Sequence, residues 1–159
     1  MKRLLLVRHA KAVHDNDYTD FERPLKHKGV QNATDMAERL KSESLIPQVL
    51  ITSPSLRTQA TADIFAEHLG LSKPKQNKNI YDAGRHELLK IISEFDDKHD
   101  FVGFVGHNPG IAELIYYYSG KTPDVSPGSV ALVAFEVDEW KLLGQDTGTM
   151  TWFSSPKEH

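Results

Sequence analysis

The feature that most constrains the fold is the segment LLLVRHA, residues 4–10, in which apolar residues run directly into Arg8 and His9. A short, continuously apolar run is typical of a strand that is covered on both faces, as in a parallel sheet. Arg8 and His9 then stand where the strand would leave the core. The segment therefore predicts a buried strand with a polar site at its carboxyl end.

Strand-like and helix-like segments alternate along the rest of the chain, which predicts an α/β fold. Further strands are predicted at residues 48–52, 130–137 and 149–153, and in the apolar segment that ends at His107. A polar, irregular stretch is expected over residues 11–28. In the first two thirds of the chain, the predicted helices therefore lie between predicted strands.

Helices are predicted from apolar residues at helical spacing and from residues that favour helix ends. The first helix is expected to begin at Gly29, with an apolar face made of Val30, Ala33, Met36, Ala37 and Leu40. The second lies between Pro54 and Gly70, and the third carries the apolar positions of residues 88–95. The fourth begins at Pro109, with Asn108 as its cap.

Composition bounds the size and the class of the protein. A chain of 159 residues with 39% hydrophobic residues predicts a single domain over residues 1–159. The net charge of −3, with both signs interspersed, gives no general reason to bind nucleic acid or a membrane surface. The absence of cysteine excludes disulfides, thiolate chemistry and cysteine zinc sites. Without a signal-peptide pattern or a stretch of transmembrane length, we expect a cytoplasmic protein.

Polar clusters follow three of the predicted strands: Arg8 with His9, the segment SPSLR that ends at Arg57, and His107 with Asn108. In open α/β sheets, ligands bind beyond the carboxyl ends of the strands, where the loops converge. Two arginines and two histidines brought together there would form a compact cationic pocket. Arginine binds phosphate oxygens with a planar fork of donors, and a neutral imidazole is a nucleophile towards phosphorus. The sequence therefore predicts a phosphate site, with Asn108 as a further substrate-binding candidate.

These segments resemble the motifs of the histidine phosphatase superfamily, which includes the cofactor-dependent phosphoglycerate mutases. Three motifs occur in the family's order: LLLVRHA with Arg8 and His9, TSPSLRTQATA with Arg57, and FVGHNPGI with His107. The short chain, ERPLKHKG at residues 22–29 and IYDAG at residues 80–84 are most similar to the SixA branch of phosphohistidine phosphatases. One departure is Ala10, where many members of the superfamily have glycine.

The resemblance implies a phosphoglycerate mutase-like fold, a three-layer sandwich with a mostly parallel sheet and helices on both faces. It implies that His9 attacks phosphorus and carries the phosphoryl group until water releases inorganic phosphate. Arg8, Arg57 and His107 would then surround the phosphoryl oxygens, and Arg23 would lie beside the pocket. Such a reaction requires no cofactor and no metal, and the sequence has no HExxH motif or other paired metal-ligand spacing.

The resemblance to the SixA branch favours a phosphohistidine side chain in a protein as the substrate. Many members of the superfamily protonate an alkoxide leaving group with a carboxylic acid. Asp82 and Glu87 lie roughly where that acid would be sought, although neither stands in a recognisable motif. One alternative is therefore a phosphomonoesterase for a small metabolite, with Asp82 or Glu87 as the general acid. A second alternative is a phosphate-binding module that does not turn over.

Overall fold

The computed structural model describes residues 1–156; the last three residues of the predicted domain lie outside that range. In the described residues, six strands and four α-helices follow the order β1 (Lys2–Arg8), α1 (His27–Ser42), β2 (Val49–Thr52), α2 (Leu56–Leu69), β3 (Lys75–Gln76), α3 (Arg85–Ser93), β4 (Phe101–Gly106), α4 (Gly110–Ser119), β5 (Val130–Phe135) and β6 (Gly148–Ser154). Short 3₁₀ helices occupy Asp20–Glu22 and Trp140–Leu142. Over the same range, none of the helices has the length and apolar character needed to cross a membrane.

The strands form one mixed sheet in the order β3-β2-β4-β1-β5-β6. The first four strands in that order are parallel to one another, whereas β5 pairs antiparallel with β1, and β6 pairs antiparallel with β5. The predicted α/β fold with a mostly parallel sheet is confirmed. β1 lies in the middle of the sheet, between β4 and β5, which explains why its residues 4–7 are all buried.

Alternate residues of β1 face two separate hydrophobic clusters. Leu4 and Leu6 pack with buried residues of α3 and α4 on one face of the sheet. Leu5 and Val7 pack with buried residues of α1 and α2 on the other face. Since successive side chains of a strand point to opposite faces, two helices cover each side and the architecture has three layers.

The start of α1 differs from the prediction. The helix begins at His27, so Gly29 is its third residue rather than its entry point. A Cβ atom at Gly29 would lie 2.1 Å from the Lys11 carbonyl oxygen, which shows that glycine is needed there for close packing and not for a helix boundary. Val30, predicted to lie on the apolar face, is exposed, because the packing of Gly29 against Lys11 turns that position towards solvent.

Other boundaries agree with the prediction to within a few residues. In α2 the cap residue Ser55 accepts the Thr58 N–H, and Gly70 ends the helix in the left-handed conformation at φ 69°. In α4 the cap position is Pro109 rather than Asn108, one residue later than predicted. Asn108 Oδ1 nevertheless accepts the Ala112 N–H at 3.2 Å.

Three further differences concern short or terminal segments. β3, with only two residues, was not predicted, because its sequence is polar and too short to show a period. Phe95 lies beyond the end of α3, and β5 ends at Phe135 rather than at residue 137. The irregular stretch after β1 contains the 3₁₀ helix Asp20–Glu22 and an isolated bridge between Ala12 and Leu25.

Candidate active site

The four predicted site residues lie together at the carboxyl edge of the sheet. Arg8 ends β1, His107 follows β4, and Arg57 stands in the first turn of α2, directly after β2. Because β2, β4 and β1 are neighbours in the sheet, these three chain segments converge. The ring centroids of His9 and His107 are 5.6 Å apart, and Arg57 Nη2 lies 3.3 Å from His107 Nδ1.

His9 is fixed in one tautomer by its own local backbone. Its Nδ1 lies 2.8 Å from the Ala10 carbonyl oxygen, which can only accept a hydrogen bond. Nδ1 therefore carries the proton, and Nε2 of the neutral ring has a free lone pair. The main chain of His9 is held on both sides, since its N–H donates to Gly106 and its carbonyl accepts from Gly128.

The environment of His9 keeps its ring neutral. The side chain is buried, and burial is the main reason why its pKa is lowered from 6.5 to about 3. The neighbouring charges of Arg57 and Arg8 lower the pKa further, while the hydrogen bond to Ala10 opposes them. At neutral pH, His9 is thus an unprotonated imidazole next to two cations.

His107 is held in the opposite tautomer. Arg57 Nη2 can only donate, so His107 Nδ1 accepts from it at 3.3 Å. The proton is then on Nε2, which donates to the hydroxyl of the buried Ser53 at 2.9 Å. Burial lowers the pKa of His107 to about 4; the charge of Arg57 lowers it as well, and that of Asp20 opposes the shift.

Arg57 is buried and is held in place by Asp20. Its Nη1 donates to the Asp20 main-chain carbonyl at 2.6 Å, and its Nη2 donates to the Asp20 carboxylate at 3.2 Å. No motif or periodicity singled out Asp20, which lies in the segment predicted to be irregular. Its proximity to Arg57, 37 residues further along the chain, arises only from the tertiary fold.

The Asp20 carboxylate joins several groups at the edge of the site. Besides Arg57, it accepts hydrogen bonds from Arg23 Nε at 3.2 Å and from the Tyr81 hydroxyl at 2.6 Å. The Tyr81 hydrogen bond is the main reason why the pKa of Asp20 is lowered to about 2, and Arg57 and Arg23 contribute to the same shift. Arg23, predicted to lie beside the pocket, is thus connected to Arg57 through a shared carboxylate.

Arg8 and Asn108 share one acceptor on the loop that precedes β5. Arg8 Nη1 and Asn108 Nδ2 donate to the Val125 carbonyl oxygen at 2.9 and 3.1 Å. Burial lowers the pKa of Arg8 below its usual value, and the charge of Asp124 opposes that shift. Within the described residues, the buried Nε groups of Arg8 and Arg57 have no hydrogen-bond partner. Two guanidinium N–H groups of the site are therefore unsatisfied by the protein.

A cavity of about 260 Å³ adjoins Arg57 and His107. Tyr81, Asp82 and Asn108 also line it, so the structure places one of the two candidate acids at its wall. Glu87 is not among the lining residues and is exposed in the first turn of α3. Tyr81 lies in the segment IYDAG but was not proposed as a site residue; it contacts the His107 ring edge-on at a centroid distance of 5.7 Å.

Thr61 on α2 connects the chain after His9 to the helix that carries Arg57. Its hydroxyl oxygen accepts the Ala10 N–H at 3.0 Å and its hydroxyl donates to the Arg57 carbonyl at 2.8 Å. Both Thr61 and Ala10 are buried. The end of β1 and the first turn of α2 are therefore joined by a chain of two buried hydrogen bonds.

The donor set of the site suits an anion better than a cation. No group of three or more metal-ligating side chains occurs within residues 1–156. Arg8 and Arg57 instead supply guanidinium donors beside the two histidines, and of these four residues Arg57 and His107 line the cavity. Such an arrangement can bind a phosphoryl group next to a histidine with a free lone pair.

Comparison with known proteins gives three further findings. The family model of the histidine phosphatase superfamily, branch 1, matches residues 4–100. An uncharacterized chloroplast protein of Arabidopsis thaliana is 28% identical over 162 residues, which cover 95% of this chain and 74% of that protein. A 2,3-bisphosphoglycerate-dependent phosphoglycerate mutase of Rhodopseudomonas palustris is 34% identical over 80 residues, 48% of this chain and 39% of the mutase.

Among solved structures, a protein histidine phosphatase SixA complexed with tungstate superposes on this chain with a TM-score of 0.84. The superposition covers 98% of each chain at 21% sequence identity. At that identity the likeness is one of fold, and it confirms the architecture that the sequence motifs predicted.

Proposed function

Because this chain belongs to the histidine phosphatase superfamily, branch 1, and is a phosphatase, we propose that it hydrolyses phosphohistidine in a protein substrate. The observation that carries the mechanism is the neutral, buried His9, whose Nδ1 is bound to the Ala10 carbonyl and whose Nε2 is free. In this proposal Nε2 attacks phosphorus in line with the leaving group. Water then releases inorganic phosphate from His9, so no cofactor takes part.

The proposed roles of the remaining site residues follow from their charge. Arg8 and Arg57 would bind the phosphoryl oxygens as positively charged donors. A bound dianion also favours protonation of His107, since it opposes the causes that keep the pKa of that ring low. His107 Nδ1 then becomes a donor to a phosphoryl oxygen, while Arg23 and Asn108 complete the wall of the site.

We prefer phosphohistidine to a phosphate ester as the proposed substrate because of the charge state of Asp20, the carboxylate that contacts Arg57. Asp20 has a pKa of about 2 and is ionised at neutral pH, so it cannot protonate an alkoxide. A departing imidazole needs no such acid when its ring already carries a proton. The finding that favours the alternative, a metabolite phosphomonoesterase, is the position of Asp82 at the cavity wall. Glu87 lies away from that wall and is the weaker candidate for a general acid.

A protein substrate is supported by exposed apolar side chains around the site. Phe21 and Leu56 are 40% and 44% exposed. Phe21 follows Asp20 and contacts Tyr81 at a centroid distance of 5.0 Å, and Leu56 precedes Arg57. These two residues form what we call the apolar rim. Exposed large apolar side chains next to a polar site are typical of a surface that receives a protein partner.

The proposal is tested by measuring kcat/KM for a phosphohistidine protein, p-nitrophenyl phosphate and several metabolite phosphates in metal-free buffer. We expect the phosphohistidine protein to have the highest value and His9→Ala to abolish turnover of all of them. A higher kcat/KM for a metabolite ester, abolished by Asp82→Ala, would support the phosphomonoesterase instead. Tight phosphate binding without turnover would support a binding module.

A pair of leucine variants separates the contribution of the apolar rim from the general effect of removing an exposed leucine. Leu56→Ala is expected to lower kcat/KM for the phosphohistidine protein by about tenfold and to leave free phosphohistidine unaffected. Leu142→Ala is the matched control, because Leu142 is also exposed, at 52%, but lies in the 3₁₀ helix Trp140–Leu142. The Trp140 N–H donates to Asp97, which precedes the start of β4, so this helix lies at the edge of the sheet opposite the site. Equal effects of the two variants would argue against docking at the rim.

Two further parts of the proposal, the domain organisation and the location in the cell, concern the whole chain. A single domain over residues 1–159 is supported by the one continuous sheet that unites strands from both ends of the described range. A cytoplasmic location is proposed from the cysteine-free composition, and cell fractionation would test it.

A further inference from the structure

Tyr81 lies at the wall of the site but has no role in the proposed reaction. Its ring lies between Phe21 and His107, with centroid distances of 5.0 and 5.7 Å, and the residue lines the cavity beside Arg57. Its hydroxyl donates to Asp20 Oδ2 at 2.6 Å. The phenol is thereby fixed in orientation at the wall of the site.

The hydrogen bond to Asp20 decides what the Tyr81 oxygen can do. A phenol has one proton, and an ionised carboxylate can only accept, so the proton of Tyr81 is engaged by Asp20. Arg57 and Arg23 hold the same carboxylate in its charged form. The Tyr81 oxygen can therefore accept a hydrogen bond through a lone pair, but its hydroxyl has no second proton to donate.

Two consequences distinguish this oxygen from a general acid or base. The hydrogen bond to Asp20 raises the pKa of Tyr81 to about 12, so the phenol stays neutral across the physiological range. Transfer of its proton to a leaving group would leave a phenolate beside the carboxylate of Asp20, which like-charge repulsion disfavours. Tyr81 is thus an acceptor at the site and a poor source of protons.

Building on the proposed function, we propose that Tyr81, oriented by Asp20, selects the leaving group by accepting a hydrogen bond from the imidazole of phosphohistidine. The reactive substrate carries phosphorus on one ring nitrogen and a proton on the other. His9 Nε2 forms its bond to phosphorus while the bond from phosphorus to the substrate nitrogen breaks. The bonding pair returns to that nitrogen, and the ring leaves as neutral imidazole, still protonated at the other nitrogen.

The N–H that the leaving imidazole keeps is the donor that Tyr81 accepts. No proton has to be supplied by the protein, which agrees with the ionised state of Asp20. An alkyl phosphate places opposite demands on the site, because its departing oxygen needs a donor and offers none before it has been protonated. The same pair of residues therefore favours a phosphorus–nitrogen bond over a phosphorus–oxygen bond.

The test compares Tyr81→Phe with wild type on phosphoimidazole and on p-nitrophenyl phosphate. The second substrate has a good leaving group that needs no acid and carries no N–H. Loss of one hydrogen bond should lower kcat/KM for phosphoimidazole by about tenfold and alter the value for the nitrophenyl ester by less than about twofold. Tyr116→Phe, at an exposed position of α4, is the matched control and should leave both values unchanged.

The outcomes separate this inference from the proposed function. Equal losses on the two substrates would mean that Tyr81 only maintains the shape of the site, and an unchanged value for phosphoimidazole would mean that no such hydrogen bond forms; either result overturns the inference. If wild type hydrolyses the ester but neither phosphoimidazole nor a phosphohistidine protein, the proposed function fails together with it. A selective loss confined to phosphoimidazole would support both.

Discussion

His9 and His107 differ in which ring nitrogen carries the proton, because their partners have opposite hydrogen-bonding character. A carbonyl holds the proton of His9 on Nδ1, whereas a guanidinium forces the proton of His107 onto Nε2. We expect nitrogen-15 NMR at neutral pH to show these two tautomers, with neither ring protonated. The low pKa values, about 3 and about 4, mean that both spectra should persist on mild acidification.

Arg57→Ala supplies the control for that measurement. Removing the donor to Nδ1 should release His107 into a mixture of tautomers, while the His9 signals should keep the pattern that Ala10 imposes. A His9 ring protonated on Nε2 at neutral pH would contradict the proposed nucleophile, since that nitrogen would then have no lone pair.

The residues that follow strands were predicted from the sequence pattern itself, whereas Arg23, in the irregular segment, was placed beside the site only through the family resemblance. Arg8, His9 and His107 stand directly after apolar runs, so their convergence could be inferred from the sheet alone. Asp20 and Tyr81 lie in polar segments without periodicity, and their hydrogen bond spans 61 residues of sequence. Such a pair has no local signature, because only tertiary packing brings its members together.

Among the helices and strands, α1 contains one position, Gly29, at which we expect glycine to be more stable than alanine, although alanine has the higher helix propensity. Replacing a helical glycine by alanine ordinarily stabilises a helix by up to about 1 kcal/mol. At Gly29 the added Cβ would lie 2.1 Å from the Lys11 carbonyl oxygen, which also accepts the Lys26 N–H. We expect Gly29→Ala to lower the free energy of unfolding by about 2 kcal/mol, measured by urea denaturation.

Gly144→Ala is the matched control for this substitution. Its Cβ would lie 3.7 Å from Thr147 Cγ2, an ordinary van der Waals distance, so the free energy of unfolding should change by less than about 0.5 kcal/mol. A neutral or stabilising Gly29→Ala would show that α1 can move away from Lys11 and that the close approach is not required.

The helices show why element types are easier to predict than element ends. The apolar positions of α1 predicted a helix correctly, yet its start was placed two residues late. The actual start depends on the hydrogen bond from Lys26 N–H to the Lys11 carbonyl, a contact with another segment. By contrast, both ends of α2 were predictable, since Ser55 and Gly70 act within the helix itself.

For the whole molecule, the buried His9 and the partly buried His107 predict loss of stability in mild acid. Both have an ordinary pKa of 6.5 in the unfolded chain but about 3 and about 4 in the folded protein, so unfolding takes up protons between these values. The free energy of unfolding should therefore fall as the pH drops below about 6, by roughly 1.4 kcal/mol per pH unit for each histidine. Urea denaturation between pH about 7 and about 4.5 measures this slope.

His107→Asn tests the assignment of that slope. Asparagine does not titrate, so the variant should lose about half of the dependence, even if its stability at neutral pH also changes. A wild-type profile that stays flat over the same range would mean that the two rings are not held neutral by the fold. Asp20 contributes only at lower pH, because its depressed pKa of about 2 keeps its stabilising charge until the solution is strongly acidic.

The architecture as a whole was the most predictable property, because it rests on many residues at once. Apolar runs and helical spacings recur along the chain, so a local error in one element does not alter the α/β pattern. β6 returns antiparallel to β5 without an α-helix between them, and the 3₁₀ helix Trp140–Leu142 in that connection was not predicted. The grouping of Arg8, His9, Arg57 and His107 was predictable from three strand ends, whereas the Asp20 carboxylate beside it was not.

The two buried hydrogen bonds of Thr61 also restrict the movement of α2 relative to β1. Shifting α2 along β1 would break a hydrogen bond to Ala10 or to the Arg57 carbonyl, with a penalty of about 1–3 kcal/mol for each polar group left unsatisfied. We therefore expect the main chains at Ala10 and Arg57 to keep their spacing whether or not a ligand is bound. The rate of turnover should then depend on the arrival and departure of substrate rather than on a closure of the protein around it.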